Sequence, residues 1–113
     1  MRTSYFAKYK NSDGINIAIK PAPGFTGESY PDLFPKWSFL KQYKIDGDEQ
    51  AYTEAYYDEV LNHLDPYKVW NDLKDKTLLC WEKSGSFCHR RIVAEWLENS
   101  IGKSLPNIYI NEV

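Results

Sequence analysis

The sequence predicts a small α/β sandwich with a mixed or mainly parallel sheet of about four strands and helices packed on it. Three observations predict this class. Apolar, strand-like segments alternate along the chain with segments of helical periodicity. The apolar run 77–81 is typical of a strand that is buried on both faces. The length of 113 residues allows a core of useful size but only one domain, residues 1–113.

Two short strands are predicted near the N-terminus. Residues 3–8 form the first, and residues 15–19 alternate apolar with small or polar side chains after the turn signal Asp13-Gly14. The Pro- and Gly-rich segment 20–27 is predicted to be a loop within the domain.

The middle of the chain is predicted to be helical. Pro35 interrupts the pattern, so we expect a short helix or turn before it and a helix over 37–43 after it. Asp46 is the predicted N-cap of the next helix, with Glu49 three residues on. Apolar side chains at a spacing of four over 52–64 predict that this helix is amphipathic.

The remaining elements follow from turn and cap residues. A short helix is predicted over 66–73, before the buried strand already described. Ser86 is the predicted cap of a helix that runs to about Asn99, and Gly102 ends it. Residues 107–110 resemble a last strand.

Composition and charge exclude several classes of function. Fourteen basic and sixteen acidic residues give a formal net charge of −2, so no bulk positive field attracts nucleic acid or anionic lipid. No apolar run approaches the roughly 20 residues of a membrane span, and the first residues lack the features of a signal peptide. Two cysteines are too few for a secreted disulfide scaffold. We therefore expect a soluble cytoplasmic protein, encoded by a cell or by a phage.

The chemically informative segment is a buried strand that passes through a Gly/Ser turn into a helix. Ligands of open α/β sheets bind beyond the carboxyl ends of the strands, and a helix N-terminus favours anions. Cys88, His89 and Arg90 fall in the first turn of this helix. Glu82 and Lys83 lie between strand and helix. The sequence therefore predicts a ligand site at this turn.

A helical wheel separates the polar side chains of this helix. At about 100° per residue, His89 lies in the middle of the apolar face and Arg90 lies at its edge. Arg91 lies on the solvent side, where it can pair with Glu95 and Glu98. The wheel therefore favours His89 and Arg90 as site residues.

Each of these residues also has a structural interpretation. A buried His89 can bond a neighbouring strand, Arg90 can hold a carbonyl or a carboxylate, and Cys88 can be a small core residue. Cys80, inside the apolar strand, is expected in the core. A zinc site of Cys80, Cys88 and His89 lacks a fourth ligand and paired spacing. No metal or other cofactor is therefore expected.

These residues resemble the signature of the domain-of-unknown-function 488 (YeaO-like) family. The segments that carry the resemblance are 78–83, 87–90 and 93–97, with 3–6 and 36–39 similar to the short subclass of that family. Cys88, His89 and Arg90 form its central motif, and Glu82 and Lys83 precede it. The resemblance implies a compact α/β fold and no known activity. Longer members carry Asp-Val-Arg at the second strand, where this chain has Ile17-Ala18-Ile19-Lys20.

The first functional hypothesis is a module that binds, or acts on, an anionic small molecule such as a nucleotide or nucleoside derivative. The side chains expected to contact the ligand are Arg90, Lys83, Tyr5 and Trp37. If the chain is an enzyme, His89 would transfer a proton, Glu82 would orient it or act as a base, and Cys88 would supply a thiolate. Composition and spacing leave open whether it is an enzyme.

The second hypothesis is a small interaction protein of a phage or mobile element. It would bind a host protein or sequester a signal molecule through exposed Tyr and Trp side chains, and the Cys-His-Arg motif would be structural. A homodimer is also expected to be possible, through an exposed edge at Tyr109 and Ile110.

Overall fold

Five short strands form one sheet in the computed structural model, which describes residues 1–113. The strands are β1 (Arg2–Tyr5), β2 (Gly14–Asn16), β3 (Glu28–Ser29), β4 (Thr77–Cys80) and β5 (Asn111–Glu112). Their order across the sheet is β3-β2-β4-β1-β5, and all four pairings are parallel. The predicted α/β class is confirmed.

Four α-helices and two short 3-10 helices connect the strands. The α-helices are α1 (Trp37–Asp46), α2 (Glu49–Glu59), α3 (Pro66–Leu73) and α4 (His89–Ile101), and the 3-10 helices are Pro31–Leu33 and Leu61–His63. Side chains from all four α-helices join Leu78 in the larger core cluster, whereas Leu79 belongs to a smaller cluster on the opposite face of the sheet. None of the helices has the length and apolar content needed to cross a bilayer.

The last strand, predicted over 107–110, is wrong in position, and the strand β3 is absent from the prediction. Asn107 adopts the left-handed region with φ of 75°, and the Ile108 N–H bonds the Leu105 carbonyl, so this segment turns. The strand forms only at Asn111–Glu112. The unpredicted strand, Glu28–Ser29, consists of two exposed polar residues and has no apolar alternation to reveal it.

The start of α2 also differs from the prediction. Asp48, not Asp46, caps this helix, because the Asp48 Oδ1 accepts the Ala51 N–H at 3.0 Å. Asp46 instead ends α1, which stops at Gly47 in the left-handed conformation with φ of 65°. The chain leaves α2 after Glu59, short of the predicted extent, and continues as a 3-10 turn.

The predicted docking edge at Tyr109 and Ile110 is not present as described. Ile110 is fully buried, and its N–H donates to the Glu98 carboxylate at 2.8 Å. Tyr109 is exposed, but both residues precede the strand. The free edges of the sheet are β3 and β5, so the edge strand near these residues lies at Asn111–Glu112 instead, and the homodimer stays a prediction.

Candidate functional site

A cavity of about 460 Å³ lies at the carboxyl ends of β2 and β4. One wall consists of the residues that follow these strands and the first turn of α4, and side chains of α1 and α2 form the other wall. The volume falls within the range of small-molecule sites, and two thirds of the lining residues are hydrophobic. Four of the predicted site residues line this cavity: Trp37, Glu82, Cys88 and His89.

His89 is buried, as the helical wheel predicts, and it lines the cavity. Its Nε2 is 2.7 Å from the Ile17 carbonyl oxygen, which only accepts, so this nitrogen carries the proton of the neutral ring. The Nδ1 lone pair therefore points toward the Cys88 Sγ, 3.9 Å away. Burial lowers the pKa of His89 to about 4. The hydrogen bond to Ile17 raises this pKa and the nearby Arg90 charge lowers it, but both effects are smaller than that of burial. The ring is therefore neutral at pH 7.

Cys80 and Cys88 form a disulfide between the end of β4 and the N-cap of α4. The predicted burial of Cys80 and Cys88 in the core is confirmed, whereas their pairing is absent from the prediction. The turn over 81–87 returns the chain so that the start of α4 lies beside the end of β4. In this oxidised form Cys88 is not a thiolate nucleophile. The α4 cap likewise differs from the prediction, since Ser86 lies in the turn before it.

Arg90 does not face the cavity but forms a buried ion pair with Glu112 of β5. Its Nε lies 3.0 and 3.2 Å from the two carboxylate oxygens, and its Nη2 lies 2.7 Å from one of them. Its Nη1 donates to the Cys80 Sγ at 3.1 Å. Only 1% of the Arg90 side chain is exposed, so this guanidinium is fully engaged within the fold. The structure shows the structural interpretation of Arg90, in which it holds a carboxylate. Anion binding by Arg90 stays a prediction, and the cavity described here does not include this residue.

Lys83 and Tyr5, two other predicted ligand contacts, do not line the cavity. Lys83 is exposed in the turn after β4, and the Tyr5 ring centroid lies 5.8 Å from the Arg90 guanidinium carbon. Arg91 also differs from the wheel. It donates to the Thr3 hydroxyl and the Ile110 carbonyl, both at 2.9 Å, rather than pairing with glutamates in solvent.

Three side chains at the cavity lie outside the set of ligand contacts predicted from the sequence. Lys20 follows β2, Lys44 lies on α1, and Trp81 follows β4. The Trp81 indole donates to the Lys20 carbonyl at 2.8 Å, and the Lys44 Nζ lies 5.7 Å from the Trp37 ring centroid. The available signal is position in the sequence, because Trp81 comes directly after β4 and Lys20 directly after the strand predicted over 15–19.

The family resemblance of the segment around Cys88, His89 and Arg90 agrees with a match to a protein-family model. A model described as "Active DUF488-N3 subclade" matches residues 8–101. The chain belongs to the DUF488 family. The matched part of this DUF488 chain contains Cys88, His89 and Arg90, whereas Glu112 lies beyond it. Searches of curated proteins and of solved structures give no significant match.

Glu112 makes the stability of this DUF488 protein sensitive to acid. Burial by itself raises the pKa of Glu112, but hydrogen bonds from Arg90, Ser84 and Thr3 and the Arg90 charge outweigh it and lower the pKa to about 2, from 4.5. Because the folded pKa lies below the unfolded one, this stabilisation is complete above about pH 4.5 and is lost as the pH falls toward 2.

We therefore expect the free energy of unfolding to fall more steeply with acid in the wild type than in Glu112→Gln. Urea denaturation of both proteins at about pH 5 and about pH 2.5 measures this difference. The variant controls for every other carboxylate of the chain. Equal losses in the two proteins would show that Glu112 does not supply the acid-sensitive stabilisation.

Proposed function

We propose that this DUF488 protein binds an anionic aromatic small molecule, such as a nucleotide or nucleoside derivative, in the cavity beyond β2 and β4. The observation that carries the proposal is the pairing of exposed aromatic rings with lysines around that cavity. Trp37 and Trp81 are 56% and 49% exposed, and Lys20 and Lys44 line the same cavity. The Lys44 Nζ lies over the Trp37 ring, and the Lys20 carbonyl accepts from the Trp81 indole. Exposed aromatic side chains around a cavity are typical of a binding surface.

The aromatic part of the ligand would stack on the indole rings. Trp37 and Trp81 project from α1 and from the end of β4, and Phe87 lines the cavity beside them. A base stacked on an aromatic side chain gains about 1–3 kcal/mol, whatever its hydrogen-bonding edge. This contribution supports recognition of a flat ring more than recognition of one particular base.

The anionic part would contact Lys20 and Lys44 instead of Arg90. Ammonium groups on long stems bind phosphate as mobile point charges, and they suit the exposed rim of a cavity. The Glu82 carboxylate, also on the wall, would accept hydrogen bonds from ligand hydroxyl groups such as those of a ribose. These charges would fix the orientation of the ligand against the aromatic wall.

Binding, rather than a chemical step, is the function that the oxidised site supports best. The disulfide removes the Cys88 thiolate, and the His89 Nε2 is already committed to Ile17. A chemical role would require the reduced protein. Such a role would use the Nδ1 of His89 together with the reduced cysteines.

Titration of the wild type with a nucleoside monophosphate, the matching nucleoside and inorganic phosphate tests the proposal. We expect the monophosphate to bind more tightly than either of its parts. Trp37→Ala should raise the Kd by about 5- to 150-fold, the equivalent of the stacking energy. Lys44→Ala should raise the Kd for the monophosphate but not for the nucleoside, whereas Lys41→Ala, an exposed lysine of the same helix outside the cavity, should change neither.

Failure of a panel of purine and pyrimidine monophosphates to bind, or Kd values that Trp37→Ala and Lys44→Ala leave unchanged, would refute the proposal. The exposed indole rings would then favour the alternative, contact with a protein partner such as a host protein.

A further inference from the structure

We propose that the reduced protein binds one thiophilic divalent cation, such as Zn²⁺, through Cys80, Cys88 and His89 in the wall of the cavity. The two Sγ atoms and a ring nitrogen of His89 lie within 4.8 Å of one another, and all three residues are buried. All three also line the cavity, which gives an ion a path to them. The proposal does not depend on nucleotide binding.

The geometry of His89 is that of a prepared metal ligand. Metal-binding histidines donate the N–H of one ring nitrogen to a carbonyl or carboxylate and coordinate through the other. Here Nε2 donates to the Ile17 carbonyl, so Nδ1 has the free lone pair and faces the sulfurs. Zinc bonds of about 2.3 Å to sulfur and 2.0–2.1 Å to nitrogen place tetrahedral S and N ligands about 3.5 Å apart. The observed distance from Nδ1 to the Cys88 Sγ, 3.9 Å, is close to this value.

Reduction must come first, because only thiolates bind the ion. A dithiol reductant gives two electrons and two protons to the disulfide and becomes a disulfide itself. Zinc then displaces the two thiol protons and forms two Zn–S bonds. The Cα atoms of Cys80 and Cys88 are 7.2 Å apart, beyond the roughly 4.4–6.8 Å that is usual for a disulfide. Once reduced, the two thiols can therefore hold their sulfurs farther apart, as a shared ion requires.

Charge balance also favours a divalent cation at this place. Two thiolates neutralise its two charges, and the nearby Arg90 is already neutralised by Glu112. The Arg90 Nη1, 3.1 Å from the Cys80 Sγ, would continue to donate a hydrogen bond to that thiolate.

The sequence argues against a zinc site because it offers no fourth ligand. The structure explains how a site with three protein ligands could still bind zinc. Structural zinc sites are closed by four protein ligands, whereas catalytic sites use three and leave the fourth position to water or substrate. The three residues here line an open cavity, so the fourth position would face that space. A water or a donor atom of a small molecule in the cavity would complete the coordination.

Cobalt, which reports its ligands by absorption, is the probe for the test. The protein is reduced with a phosphine, whose phosphorus takes oxygen from water as the disulfide becomes two thiols, and is then titrated with Co²⁺ without air. We expect one cobalt per chain, an intense near-ultraviolet band from thiolate-to-cobalt charge transfer, and visible bands typical of tetrahedral cobalt. The oxidised protein should show none of these.

Variants test each ligand against a matched control. Cys80→Ser, Cys88→Ser and His89→Ala should each raise the Kd at least about 100-fold, because loss of a group that only orients a ligand already costs about 10- to 100-fold. His63→Ala, which removes the only other histidine, should bind as the wild type does.

Absence of the charge-transfer band in the reduced wild type at stoichiometric cobalt would overturn the proposal, as would unchanged affinity in His89→Ala. If circular dichroism shows that a cysteine variant is unfolded, the rate of cysteine alkylation in the reduced wild type is measured in place of the affinity of that variant. Stoichiometric zinc should then slow the alkylation of both cysteines by at least about tenfold, and equal rates with and without zinc would exclude the site.

Discussion

Replacing Glu112 with alanine is expected to lower the free energy of unfolding by about 3–5 kcal/mol, because the buried Arg90 guanidinium then loses its counter-charge. The carboxylate accepts three contacts from Arg90 at 2.7–3.2 Å. It also accepts from the Ser84 and Thr3 hydroxyls at 2.5 and 2.6 Å, so the same residue joins the turn after β4 to β1. Urea denaturation at pH 7 measures the loss.

Lys68→Ala is the control for the Glu112 variant. It breaks the exposed Lys68–Asp72 pair of α3, whose N–O distance is also 2.7 Å, and should hardly change stability. Similar losses in the two variants would mean that burial of Arg90 does not determine the strength of its ion pair.

His89→Ala is expected to lower the free energy of unfolding of the oxidised protein by about 2–4 kcal/mol. The variant leaves the buried Ile17 carbonyl without the donor that bonds it at 2.7 Å and creates a cavity where the imidazole was. The disulfide stays intact, so the change reports the imidazole alone. Denaturation without reductant measures it.

His63→Ala provides the comparison for the His89 variant. His63 is exposed, ends a 3-10 turn and makes no buried side-chain contact of this kind, so its loss should be close to neutral. A neutral result for His89→Ala would show that water or another group replaces the imidazole donor at Ile17.

The sequence predicts the fold class and most helices, because these depend on local patterns. Residues 77–80 of the apolar run form a buried strand as predicted, whereas Trp81 follows the strand and is exposed. Helix α3 begins at Pro66, as predicted, and the Asp65 carboxylate accepts the Tyr67 N–H. The strands of two residues are too short and too polar for any pattern to identify. Gly47 ends α1 in the left-handed backbone conformation, and this helix end is not among the features predicted from the sequence.

The candidate site could be located but not assembled from the sequence. The helical wheel places His89 correctly, because the direction of a side chain on a helix follows from its number alone. It cannot show that β5 lies beside β1, and this arrangement brings Glu112 to Arg90. Nor can spacing show that the turn after β4 returns Cys88 to Cys80. Local sequence patterns therefore do not determine which side chains pair when the two residues lie on elements that only the tertiary fold brings together.

The position of β1 at the interior of the sheet has a consequence for the order in which the chain folds. Residues 2–5 pair with residues 77–80 on one side, and residues 2 and 3 pair with residues 111 and 112 on the other. Both partners come from far along the chain, so long loops must close before this strand gains any hydrogen bond. Chains with such distant pairings fold slowly for their size. Until closure, residues 2–5 keep two unsatisfied backbone edges, which other unfolded chains can join and so start aggregation.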